Sequence, residues 1–181
     1  MKKAYVLLAN GFELIEALTP VAVLRRGGVK VATVSIYDKL EVTSSNHVTI
    51  KADTILDLEK IKDGDLLILP GGYPGYENLS LDKSVVKCVE YYYENSKYIG
   101  AICGAPTILA KNLLLEGKDF TCHTGVLSEI SQGNYINEKV VVSEKIITSR
   151  GAGTSLDFSL KLLEILADSA TVKRVKEEMQ C

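Results

Sequence analysis

Apolar positions along this chain fall into short unbroken runs separated by stretches of helical spacing. Lys3 to Leu8, Val29 to Ile36, Leu66 to Leu69 and Tyr98 to Ile102 are nearly continuous apolar runs, the pattern of strands buried on both faces. Between the first two, Leu14, Ile15, Leu18, Val21 and Leu24 recur at a helical period, which predicts an amphipathic helix. Gly27-Gly28 closes that helix at its C-terminus. Pro20 sits inside the pattern and is expected either to kink the helix or to mark where its regular part begins. Lys83 to Tyr93, Thr107 to Leu114, Leu156 to Leu166 and Val172 to Met179 also carry helical spacing. Asp38 to Lys51 alternates weakly and predicts a hairpin excursion, and Asp119 to Cys122 reads as a short strand. Val140 to Val142 and Ile146 to Thr148 predict a hairpin around Ser143-Glu144-Lys145.

Strands that alternate with helices through short connections define an α/β fold, a mostly parallel sheet sandwiched between helices. No repeat, low-complexity segment or linker interrupts the pattern, so one domain over residues 1–181 is expected. Ligands of such sheets bind at the carboxyl ends of the strands. Three loops there carry notable residues: Asn10 to Glu16, Pro70 to Gly75, and Cys103 to Pro106.

Composition narrows the class. Apolar residues make up 46% and charged residues 24%, which excludes a disordered chain. The net charge is −2 with lysine and arginine scattered, so no specific nucleic-acid binding is expected. The apolar stretch after Met1-Lys2-Lys3 stops at Asn10-Gly11, too early for a signal-peptide core, and no run approaches membrane-spanning length. A cytoplasmic protein without membrane association is expected. The cysteines stand at 88, 103, 122 and 181, with no CxxC spacing and only two histidines. That pattern predicts free thiols and no metal site, and no cofactor motif is present.

The candidate chemistry centres on Ile102-Cys103-Gly104-Ala105-Pro106. The pentapeptide puts a cysteine at a sharp strand-to-helix turn. A helix N-terminus there is expected to lower the thiol pKa and make Cys103 a nucleophile. The competing reading is a buried cysteine acting as a small apolar side chain, which is the reading given to Cys88 on the stripe with Val85, Val89 and Tyr92. Amides of Gly72, in Pro70-Gly71-Gly72, and of Gly104 could form an oxyanion hole. Glu16 could place a carboxyl beside the thiol. Ionised, it would oppose a thiolate; protonated, it would donate to the sulfur. Glu13, one turn earlier, is its rival, and an exposed surface role is the alternative for Glu16. His123 is a candidate general base or proton shuttle, or a structural histidine, while His47 lies in a polar stretch. Arg150, in the segment Thr148 to Ser155, could bind an anion or a partner subunit or serve structure, and Thr154 or Ser155 could cap the helix that follows.

Taken together these blocks resemble the ThiJ/PfpI superfamily, in the branch containing the Parkinson-linked deglycase (DJ-one). The resemblance runs through Asn10-Gly11 with Glu13 and Glu16, Arg25 to Val31, Leu69-Pro70-Gly71-Gly72, Ala101 to Thr107, His123, and Thr148 to Ser155. It implies a flavodoxin-like α/β sandwich and a homodimer. It maps the oxidisable nucleophile to Cys103, a protonated carboxyl partner to Glu16 and a nearby histidine to His123. It implies cofactor-free glyoxalase or deglycase activity on methylglyoxal, glyoxal or their adducts. The alternative it carries is a redox-sensing stress protein or chaperone that uses the same oxidisable cysteine. Ala22 departs from the aspartate that relatives often hold there, and Asn46 from the arginine that some hold. Gly104 stands where the peptidase branch has histidine, which weighs against proteolysis.

Overall fold

A computed structural model describes all residues from Met1 to Cys181. In chain order the elements are β1 (Lys3–Leu8), α1 (Leu14–Arg26), β2 (Lys30–Ser35), β3 (Glu41–Thr43), β4 (Thr49–Lys51), β5 (Thr54–Ile55), α2 (Leu58–Ile61), β6 (Leu66–Leu69), α3 (Gly75–Leu81), α4 (Lys83–Glu94), β7 (Tyr98–Ile102), α5 (Pro106–Lys111), β8 (Asp119–Phe120), β9 (Asn134–Tyr135), β10 (Val140–Ser143), β11 (Ile146–Ser149), α6 (Ser155–Leu166) and α7 (Ser169–Glu178). Seven strands form the main sheet in the order β10-β11-β7-β6-β1-β2-β5. All neighbours are parallel except the β10–β11 hairpin. The expected flavodoxin-like sandwich is therefore present, and so is the small hairpin excursion, with β3 and β4 antiparallel.

Alternation along the strands builds two apolar layers. Ala4, Val6 and Leu8 of β1, with Leu66 and Ile68 of β6, face a layer of α1, α6 and α7 residues that includes Leu24, Phe158, Leu163 and Val175. Tyr5, Leu7, Leu67 and Leu69 face the opposite layer, where Leu79, Val89, Tyr92 and Leu109 pack. Burial on both faces explains why these strands read as unbroken apolar runs. Cys88 lies in the second layer, as its place on the stripe predicts. No helix is long and apolar enough to cross a membrane.

Several local expectations are corrected. Helix α1 runs through Pro20 from Leu14 to Arg26, so the proline does not delimit it. Helix α5 stops at Lys111, short of Leu114, because Leu113 takes a left-handed φ of 58°. The strand predicted at Asp119 to Cys122 covers only Asp119 and Phe120, paired with a β9 partner that the sequence did not reveal. Neither Thr154 nor Ser155 caps α6 through its side chain. The Thr154 hydroxyl is taken by Gly151 and Ser149 instead, donating to the Gly151 carbonyl at 2.9 Å.

The four central strands β11, β7, β6 and β1 are neighbours. Their carboxyl-end loops therefore converge over one stretch of the sheet. That convergence brings Gly151, Cys103, Gly71 and Glu16 together from four separate parts of the sequence.

Candidate active site

Cys103 follows directly on β7 and has φ 65°, a left-handed conformation for a residue with a side chain. That conformation costs about 1–2 kcal/mol and persists only where the surroundings enforce it. The enforcement is visible. The Cys103 N–H donates to the Ser149 carbonyl at 3.0 Å, and its own carbonyl accepts the His123 N–H at 2.9 Å. The loops after β7 and β11 and the segment entering at His123 are thus tied to one backbone position.

The expected lowering of the thiol pKa does not hold. Helix α5 begins at Pro106 with Ala105 as its N-cap, so Cys103 precedes the first turn instead of lying on it. Burial, then the charge of Glu16 and its hydrogen bond, pushes the thiol up to about 12. The backbone N–H groups of Gly72 and Gly104 both face the sulfur and act in the opposite direction.

Glu16 sits in the first turn of α1 and is only 1% exposed, which removes the surface reading. Its Oε2 accepts the Gly71 N–H at 2.9 Å, and the Ala152 N–H and the Cys103 thiol also face the carboxyl. Burial is the main cause raising it from 4.5 to about 7, against these hydrogen bonds. The two groups form a coupled unit. While Glu16 is ionised it opposes a thiolate; once it takes the thiol proton it becomes a donor toward the sulfur. The rival Glu13 has a different task. It is the N-cap of α1, and its carboxylate accepts the Glu16 N–H at 2.7 Å, a favourable arrangement at the positive end of a helix.

His123 is solvent-exposed. Its Nδ1 accepts the Gly125 N–H at 3.0 Å, capping the turn Thr124–Glu129. A neutral ring so held carries its proton on Nε2. No hydrogen bond joins the ring to Glu16 or Cys103. The ring nonetheless borders them: a Cβ built on Gly151 would stand 3.7 Å from His123 Cδ2, 3.8 Å from Glu16 Oε1 and 3.9 Å from Cys103 Sγ. Cys103, Glu16, Gly72 and Gly104 thus meet directly, with His123 at the rim. Asn46 is exposed near the β3–β4 turn, and Ala22 is half-buried on α1.

Above the sulfur lies a cavity of about 270 Å³ that Cys103 and His123 share with Tyr73, Tyr76 and Val126. A larger cavity of about 490 Å³, at the β2–β5 edge, holds none of these groups.

The sequence reading missed Gly71, Ala152 and Gly151. Gly71 was legible in principle, since it stands in the same Pro70-Gly71-Gly72 turn. A Cβ there would fall 2.6 Å from Cys103 Cβ and 2.7 Å from Glu16 Oε2, so only glycine lets thiol and carboxyl meet. Gly72 has φ 87°, and a Cβ on it would lie 2.2 Å from Glu13 N and 2.5 Å from Gly11 O. Those are backbone atoms that cannot swing aside. Gly72→Ala is therefore expected to destabilise the fold by about 3 kcal/mol, combining left-handed strain with overpacking. A urea midpoint unchanged from wild type would contradict that packing.

Against known proteins, the DJ-1/PfpI family model matches residues 2–165. The chain belongs to the DJ-1/PfpI family. Among its relatives, Protein DJ-1 homolog B of Arabidopsis thaliana is 35% identical over 158 residues, or 87% of this chain. The chain spans only 36% of that longer protein. The Glutathione-independent glyoxalase DJR-1.2 of Caenorhabditis elegans is 33% identical over 168 residues, covering 91% of this chain and 89% of that one. The crystal structure of Drosophila melanogaster DJ-1beta superposes with a TM-score of 0.93 at 33% identity, over 99% of this chain and 97% of that one.

Proposed function

We propose that this protein is a cofactor-free glyoxalase or deglycase acting on methylglyoxal, glyoxal or their adducts through covalent catalysis at Cys103. The observation that carries the reading is a buried Glu16 carboxyl against the Cys103 thiol, with the Gly72 and Gly104 amides facing the sulfur. Similarity to a relative named as a glutathione-independent glyoxalase supports it.

The chemistry follows from the pair. Ionised Glu16 takes the thiol proton as the sulfur attacks the aldehyde carbon. The carbon–sulfur bond forms and the carbonyl electron pair moves onto oxygen. The amides of Gly72 and Gly104 stabilise that oxyanion, which then takes the proton from Glu16 to give a hemithioacetal and restore the carboxylate. Glu16 next removes the proton from the sulfur-bearing carbon and returns it to the neighbouring carbon through an enediol. His123, at the rim, relays protons between the pair and water. The former ketone is now a hydroxyl and the former aldehyde a thioester. Water adds to the thioester, the thiol leaves and recovers its proton, and lactate is released. Methylglyoxal plus water equals lactate, so no oxidant or reductant enters.

The test is purified protein with methylglyoxal and no glutathione, with lactate measured by chromatography. Lactate is expected in equal amount to the methylglyoxal consumed. Disappearance of methylglyoxal without lactate would mean simple adduct formation on surface groups and would end this reading.

A further inference from the structure

Arginine side chains in this fold are spoken for, with one exception. Arg25 donates to the Val31 carbonyl and to Asp53, Arg26 to the Ala22 carbonyl, and Arg174 to Glu178 and the Arg26 carbonyl. Arg150 alone makes neither a hydrogen bond nor an ion pair, although it is half-buried. Its guanidinium has five donors in a planar fork suited to carboxylate and phosphate. None of its nitrogens is a buried, unpartnered atom, so the fork reaches solvent and is free to take an anion.

The place it occupies is open and polar. Arg150 lines a second cavity of about 290 Å³ with His123, Thr124 and the loop Gly151 to Thr154. No acidic residue is among the lining groups. His123 belongs to this cavity and to the one above Cys103. Gly151, in the same lining, places its would-be Cβ 3.9 Å from Cys103 Sγ. The two spaces adjoin at His123, an aromatic-walled lobe over the sulfur and a cationic lobe beside it, with Glu16 Oε1 3.8 Å from the same Gly151 position.

We propose that Arg150 makes this second lobe a subsite for a small oxyanion carried on the substrate. The preferred carbonyl compounds then bear a carboxylate or phosphate group beyond the carbons that react at Cys103. The substrate class rests on the glyoxalase reading, whereas the anion subsite itself does not.

The experiment separates the two by avoiding turnover. Cys103 is alkylated with iodoacetate, an anion, and with iodoacetamide, its neutral analogue, and the site-specific rates are read by peptide mass spectrometry. Dividing the rates cancels differences in thiol ionisation. Arg150→Gln is expected to lower the iodoacetate-to-iodoacetamide ratio at Cys103 by about tenfold. The ratio at exposed Cys181 should stay fixed, and Arg150→Lys should recover part of the loss. In wild-type protein, inorganic phosphate or acetate should slow alkylation by iodoacetate at Cys103. Stronger protection by phosphate assigns phosphate esters, and stronger protection by acetate assigns carboxylates. A ratio indifferent to Arg150→Gln, or no protection by either anion, overturns the subsite. Failure of the lactate assay with these results intact would remove the glyoxalase reading and leave the anion subsite standing.

Discussion

Replacing Cys103 with serine is expected to lower lactate formation from methylglyoxal by about 10⁴-fold or more while leaving the fold intact. The difference lies in how firmly each nucleophile holds its proton. Glu16, raised to about 7 by burial, is a base strong enough to share a thiol proton when the sulfur attacks. A serine hydroxyl holds its proton far more tightly, so the same carboxylate cannot ready it. The side chain does not hold its own backbone in place. The left-handed turn is fixed by main-chain bonds to Ser149 and His123, which serine preserves. Stability should therefore stay within about 1 kcal/mol of wild type, as urea unfolding would report. Serine at position 103 with near wild-type turnover would remove the covalent step from the mechanism.

The layered fold was legible because its core strands are buried on both faces. Leu66 to Leu69 and Tyr98 to Ile102 were bounded correctly from apolar continuity alone, as was the β10–β11 hairpin in outline. What escaped was structure without an apolar signature of its own. The β8–β9 pair is two residues long, and its partners are brought together by the intervening chain rather than by a pattern in either segment. Helix α3 opens with Gly75 directly after the Pro70–Pro74 turn, so turn chemistry masked it. Helix α5 was overextended because Leu113 and Leu114 continue the apolar period after the backbone has turned away.

The residue types of the candidate site are legible in the sequence, but its electrostatics are not. Cysteine, glutamate and glycine pair announced themselves by their loops, and the topology brings three carboxyl-end loops together as such sheets do. The thiol pKa is not legible because sequence shows that a helix follows Cys103, not that Gly104 and Ala105 separate the cysteine from it or that the sulfur is enclosed. Glu13 and Glu16 could not be ranked by spacing. The distinction is that one reaches the N-cap and the other points inward beneath Gly71, and it depends on a contact across 55 residues of chain.

Glu16→Gln is expected to cut turnover by about 10²- to 10⁴-fold, the range for loss of a general acid–base group, and at the same time to make the protein more stable at alkaline pH. The sign follows from linkage. Glu16 titrates at 4.5 unfolded and at about 7 folded, so the folded state holds the proton longer. Its contribution to stability is fully present below 4.5 and is lost as pH rises through about 7, a difference of about 3 kcal/mol for a carboxyl this buried. Glutamine has no charge to bury and can still accept the Gly71 N–H. Urea midpoints should therefore nearly coincide at about pH 4 and favour the variant by roughly 2 kcal/mol at about pH 8. Reactivity supplies an independent reading of the same proton. The pair is reactive when it holds one proton, a state that fills as Glu16 ionises, so iodoacetamide labelling of Cys103 in wild type should rise through about pH 7. In Glu16→Gln that rise should vanish, leaving only the deprotonation of a buried thiol at higher pH. A variant that is stabler and nearly inactive would mean that the carboxyl is retained for its chemistry at a cost to the fold. A variant with wild-type pH dependence in both measurements would mean that Glu16 does not share a proton with Cys103.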